Sequence, residues 1–118
     1  MFGLLRQRQP RVKDAAYLRF IRTLPCVICG AQAEAAHLKF SSAKYGKLHP
    51  GIGTRPDDKW CLPLCPEHHR LGSASQHATG DEEGWWAAHG IDPCALAIAI
   101  YDARSDRHRA MEIIATWC

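Results

Sequence analysis

The sequence predicts a small α+β domain, and three observations carry that prediction. Its 118 residues suffice for one core, since single domains usually run to roughly 100–200 residues. Two short segments, within 31–40 and at 60–64, read as strands separated by a loop rich in glycine and proline. Helical patterns flank them, at 13–23 before and 81–117 after. A composition of 47% hydrophobic and 23% charged residues excludes a disordered or collagen-like chain. No apolar run approaches the ~20 residues of a membrane helix, and the start MFGLLRQRQPRVK lacks the apolar centre of a signal peptide. The expectation is a soluble, cytoplasmic protein.

Each element has its own signal. Residues 1–12 are basic, contain Pro10 and show no periodicity, so they read as an N-terminal arm before a single domain over 13–118. Ala16, Tyr17, Phe20 and Ile21, with Leu24, recur at spacings of three and four and mark one face of a helix. Pro25 stops it, because the residue before a proline avoids helical angles. Cys26-Val27-Ile28-Cys29-Gly30 reads as a tight turn that points two thiols inward. The stretch AQAEAAHLKF (31–40) has helical composition, but its place after that turn suits a strand. Residues 41–59 form a long loop, and Trp60 to Leu64 is a strand entering Cys65.

A helix over Glu67–Gln76 is expected next, weakened in its second half by Gly72 and the serines. Asp81-Glu82-Glu83 opens a helix through Trp85, Trp86 and Ala88, closed by Gly90. Asp92-Pro93 caps the following one, whose Leu96, Ile100 and Ala103 share a face. Ser105-Asp106 interrupts before a last helix to about Trp117. These boundaries divide the domain into a core at 24–78 and C-terminal helices at 81–118. Trp85, Trp86 and Trp117 are expected in the core rather than on a binding face.

The net charge of +3 hides an asymmetry. Residues 1–70 carry 12 Lys/Arg against 5 Asp/Glu, and residues 71–118 carry 3 against 7. A basic front half suits a polyanion such as nucleic acid, although a solvated surface with uneven charge would look the same.

Six cysteines and seven histidines are many for this length. Without a secretion signal, disulfides are not expected, and clustered Cys and His then point to metal. Cys26-x2-Cys29 is followed by Cys65-x2-His68. Each pair suits one side of a tetrahedral zinc, because a tight turn presents both side chains to one point about 2.3 Å away. Cys61-x3-Cys65 offers a four-cysteine alternative. His68 is preferred, because Cys61 falls on the strand with Pro63 between it and Cys65. Cys94 and Cys118 lie in helical context and receive no chemistry, and His49, His89 and His108 receive structural roles. His37 and His69 sit beside the zinc elements. His69 adjoins the ligand His68 and leaves the chain in a different direction, so it is available for a second role.

The arrangement LPCVICG…AAHLKF…DDKWCLPLCPEHHR resembles the zinc-stapled members of the HNH family of ββα-metal nucleases, and is similar to phage nucleases of the RecA-dependent recombination type. The likeness covers roughly residues 17–93, and Trp85-Trp86 and Gly90-Ile91-Asp92-Pro93 support the narrower subgroup.

The resemblance implies a zinc-stapled ββα-metal core and metal-dependent endonucleolytic cleavage of DNA, in a phage or prophage setting. His37, ending the first strand of a hairpin, would be the general base. His69 would bind a catalytic divalent cation, Mg²⁺ or Mn²⁺ or a second Zn²⁺. Asp58 would orient the hairpin or the base, with Asp57 as its competitor. His77 lies eight residues past His69, which is about 12 Å along a straight helix, so it could join the same ion only if the helix ends or bends, as at Gly72. The family's acidic ligand before the first histidine is replaced by Ala36, with Glu34 as a substitute, and Trp60 stands where its middle asparagine often lies.

Phosphodiester hydrolysis needs a base of near-neutral pKa and a cation, which histidines and a metal supply. Lys39, Lys44, Lys47, Arg55, Lys59 and Arg70 would hold the phosphate backbone. Gly51-x-Gly53 lacks the lysine and hydroxyl residue of a phosphate-binding loop. The implied partners are DNA, single- or double-stranded, and a recombinase filament. The rival reading is a non-catalytic zinc module that binds nucleic acid.

Overall fold

The computed structural model describes residues 13–47 and 57–117. The elements are α1 (Ala15–Arg22), β1 (Glu34–His37), β2 (Cys61–Leu64), α2 (Gln76–Thr79), α3 (Glu82–Ala88), α4 (Pro93–Asp102) and α5 (Arg107–Trp117). This is the expected small α+β arrangement of a two-stranded sheet among helices. No helix of the described residues is long and apolar enough to cross a membrane. The basic arm at 1–12, Arg55, His49, the Gly51–Gly53 segment and Cys118 lie outside the described residues.

Helix α1 starts where Asp14 caps it, the carboxylate accepting the Tyr17 N–H at 3.0 Å. Its Tyr17 and Ile21 are buried while Arg19 and Arg22 face outward. The chain then turns through Cys26–Gly30, closed by Cys26 N–H to Ala31 O at 2.8 Å and Gly30 N–H to Cys26 O at 2.9 Å. Gly30 takes φ of +81°, a left-handed angle that side chains disfavour.

Strand β1 runs antiparallel to β2, pairing Glu34 with Leu64, Ala35 with Pro63, Ala36 with Leu62 and His37 with Cys61. The helical composition of 31–40 is overridden, because pairing with the apolar CLPL segment buries Ala36 and Leu38 completely. Pro63 has no N–H to give, but its carbonyl accepts the Val27 N–H at 3.0 Å, which seats the cysteine turn on β2. A two-stranded hairpin is marginal alone. Here α1 and α4 both pack against the strands, and Ile21, Leu24, Leu38, Leu62, Leu64, Trp86, Leu96 and Ile100 form the buried centre.

The continuous helix expected over Glu67–Gln76 does not form. A wide turn, Glu67–Leu71, closes with the Gly72 N–H on Glu67 O at 2.9 Å, and Gly72 then leaves in an extended conformation. A Cβ on Gly72 would stand 2.6 Å from Glu67 Oε2 and 2.8 Å from Glu67 O, so this closure needs glycine. Ser75 restarts the chain as the cap of α2.

The C-terminal helices follow their cap signals. Asp81 caps α3 and Asp92 caps α4, with Pro93 in its first turn. Trp85 and Trp86 are buried as expected, whereas Trp117 is 38% exposed. It closes the last helix, beyond the inward positions Ala110, Ile113 and Ile114. Within the segment expected as a loop, Ala43–Tyr45 form a short 3-10 turn clasped by a Ser42–Lys47 bridge.

Candidate functional site

The cysteine turn seated on β2 brings Cys26 and Cys29 to Cys65 and His68, at the start of the wide turn. The four ligand atoms all lie within 4.8 Å of one another. Cys29 Sγ is 3.7 Å from Cys65 Sγ, and Cys65 Sγ is 3.2 Å from His68 Nδ1. Two thiolates at the usual zinc distance on a tetrahedral ion stand about 3.8 Å apart, so the cluster can hold a structural metal. Burial pushes the Cys26 thiol up, but N–H donors from Cys65, Cys29 and Ile28 outweigh it and lower the pKa, favouring the thiolate that a metal needs. The Ala31 N–H pulls the Cys29 thiol down, but desolvation together with the neighbouring Cys65 and Cys26 thiols prevails and raises it. Cys61 is fully buried on β2 outside this cluster, and His68 is the fourth member of the group that could hold a metal. Among the described residues, this is the one group of three or more such side chains so closely gathered.

Two further constellations flank the metal cluster. At the end of β1, His37 Nε2 lies 2.9 Å from Asp58 Oδ1. Asp58 is 2% exposed, and its Oδ2 accepts the Asp14 N–H at 2.7 Å. A carboxylate is acceptor only, so this contact selects the tautomer with the proton on Nε2 and the lone pair on Nδ1. Of the two adjacent aspartates, Asp58 therefore meets the histidine, while the Asp57 carbonyl accepts the Trp60 N–H.

At the other end of β1, Glu34 Oε1 meets His69 Nδ1 at 2.8 Å. Arg70 closes a fork on the same carboxylate, Nε to Oε1 at 3.0 Å and Nη2 to Oε2 at 2.8 Å. The Arg70 hydrogen bonds, aided by His69, hold Glu34 at about 2, well below the usual carboxylate range. The break at Gly72 folds His77 back, and its ring centroid lies 4.5 Å from that of His69. Partial burial, and then the neighbouring His69 ring and the positive charges of Lys39 and Arg70, lower the pKa of His77 and favour its neutral form.

Residues 2–104 match the family described as a protein of unknown function, DUF968. The chain belongs to the DUF968 family. An Escherichia coli K12 relative, described as uncharacterized protein YdfU, is 37% identical over 68 residues. That match covers 58% of this chain and 18% of the relative, so the chain spans under a fifth of that protein's length. No solved structure matches.

On this DUF968 chain the basic residues expected on one surface divide. Lys39, Lys44 and Lys59 are exposed. Lys47 is 2% exposed, so it is not available to a phosphate backbone. Its ammonium donates to Phe40 O and lies 5.6 Å and 5.9 Å from the ring centroids of Phe40 and Trp60, and burial lowers its pKa. Arg70 is half-exposed but bound to Glu34, so it positions that carboxylate instead of presenting an open fork. Sequence reasoning missed Asp14, which caps α1 and donates to Asp58. A helix beginning just after an aspartate was the available signal. It also missed Glu82, whose Oε1 accepts the Lys39 N–H at 3.0 Å and ties the segment after His37 to α3. Nothing local to Glu82 signals a partner 43 residues away.

Proposed function

We propose that this chain is a metal-dependent DNA endonuclease of the HNH, or ββα-metal, type, acting in the cytoplasm of a bacterial host in a phage or prophage setting. One observation carries the reading: a histidine ending the first strand of the hairpin, beside a cluster able to hold a metal, meets a buried aspartate that orients it, as a general base requires. Asp58 fixes the His37 ring, and His37 takes the proton from a water as its oxygen attacks phosphorus and the bond to the leaving oxygen breaks. His69 and His77 are close enough to share one divalent cation, which when bound supplies positive charge to the developing phosphorane and leaving oxygen. Arg70 and His69 hold Glu34 beside them as a carboxylate. Lys39, Lys44 and Lys59 supply charge for the phosphate backbone.

The test is nicking of supercoiled plasmid and cutting of single-stranded DNA by zinc-loaded protein with Mg²⁺, Mn²⁺ or chelator, alone and with a recombinase filament. Cleavage that needs the added cation, and weakens in a His69→Ala variant, is the expected result. The fully buried Ala36 removes the family's acidic ligand, and this favours a second reading, a zinc module that binds nucleic acid without cutting it. DNA binding with no cleavage under any of these conditions would establish that reading instead.

A further inference from the structure

Immediately after Asp58 the chain enters the wall of a cavity of about 260 Å³, lined by Tyr45, Lys59, Trp60, Ile98, Tyr101 and Asp102. Three of the six are aromatic, and each ring carries a cation. Lys44 Nζ is 5.1 Å from the Tyr45 centroid, Lys59 Nζ is 5.4 Å from that of Trp60, and the Arg104 guanidinium is 4.1 Å from that of Tyr101. The volume lies just under the roughly 300–1,000 Å³ of ordinary small-molecule sites, which suits one planar ring system. Trp60 is 5% exposed, so the half-buried Tyr45 and Tyr101 are the rings open to a ligand, and rings with cations beside them and one carboxylate among them match the chemistry of a nucleotide.

We propose that this cavity holds a single unstacked nucleobase of a DNA strand, with Lys44, Lys59 and Arg104 meeting its flanking phosphates. The inference rests on the nucleic-acid reading above and adds where a base is held and which base it is. Asp102 sets the preference. A carboxylate only accepts hydrogen bonds, so it favours a base edge with two adjacent N–H donors, as guanine has, over edges that mix donor and acceptor. The cavity wall is continuous with the His37–Asp58 pair through Lys59 and Trp60. The Leu38 N–H also bonds Trp60 O at 2.8 Å, so a base held there would fix the strand relative to His37.

A fluorescein-labelled DNA backbone of about 15 abasic nucleotides, carrying one central dG, one central dA or no base at all, tests this by anisotropy on the zinc-loaded full chain without added Mg²⁺ or Mn²⁺. The expected result is about tenfold tighter binding of the dG strand than of the abasic strand. Asp102→Asn, at an exposed position, should remove the preference for dG over dA and keep the salt dependence. Tyr45→Leu should reduce the gain over the abasic strand. Equal affinity for dG and abasic strands, with salt-dependent binding intact, would overturn the cavity's role and leave the endonuclease reading standing. Equal gains for dG and dA would keep the base site and overturn the part given to Asp102. No binding to any strand would overturn the proposal, and plasmid left intact in the separate cleavage assay would then remove the endonuclease reading too.

Discussion

Asp58 joins α1 to the hairpin through two hydrogen bonds, to the Asp14 N–H and to His37. Replacing it by alanine strands a partly buried donor and removes the contact that orients the His37 ring, so Asp58→Ala should cost about 1–3 kcal/mol in urea unfolding and lower any cleavage rate further than stability explains. Glu82 gives a pH signature. Burial raises its carboxyl above the usual 4.5, against the Lys39 N–H and the nearby Lys47 and Lys39 charges. The folded state therefore binds the proton more tightly than the unfolded chain. Its contribution is greatest below pH 4.5 and is lost as pH rises through the raised folded value. The stability of wild type minus that of Glu82→Gln should fall as pH rises from about 4.5 toward neutral, measured by urea midpoints. A flat difference would contradict the assignment. At this scale the gathering of Cys26, Cys29, Cys65 and His68 was legible, because a two-residue spacing in a tight turn fixes where both side chains point. Asp58 could not be separated from Asp57 by spacing alone. Lys47 was misread because Phe40 and Trp60, which enclose its ammonium, come together only through the fold.

Among the elements, the wide turn after β2 decides how the histidines meet. It ends at Gly72, where added volume would strike the Glu67 carbonyl. Gly72→Ala should cost about 1–3 kcal/mol and separate the His69 and His77 rings, read from unfolding midpoints and from loss of ring-to-ring NMR contacts. Unchanged stability with the ring contact retained would show that the closure tolerates a side chain. The helices were readable from their punctuation, since Asp81, Asp92, Pro93 and Gly90 act within a few residues of where they sit. β1 was harder to read, because alanine-rich composition favours helix and only the partner strand, 24 or more residues away, makes it extended. The break within 67–76 had the same character: Gly72 marked a weak point, but the wide closure depends on backbone geometry that composition does not encode.

At the scale of the whole molecule, a sheet of only two four-residue strands between short helices would draw much of its order from a metal on the Cys26, Cys29, Cys65 and His68 cluster. One zinc per chain is expected by mass spectrometry of the native protein. Chelation should collapse the cooperative thermal transition, because metal-binding free energy in such sites is folding free energy. A sharp transition that survives complete zinc removal would place the stability in the apolar core alone. A metal on this cluster would staple the hairpin that carries His37, joining fold to chemistry at one residue. The most direct test is the plasmid-nicking rate of wild type beside His37→Ala, with both shown to hold equal zinc and to melt at the same temperature. Cation-dependent nicking by wild type that disappears in the variant is the predicted result. Nicking that persists undiminished in the folded, zinc-loaded variant would contradict it.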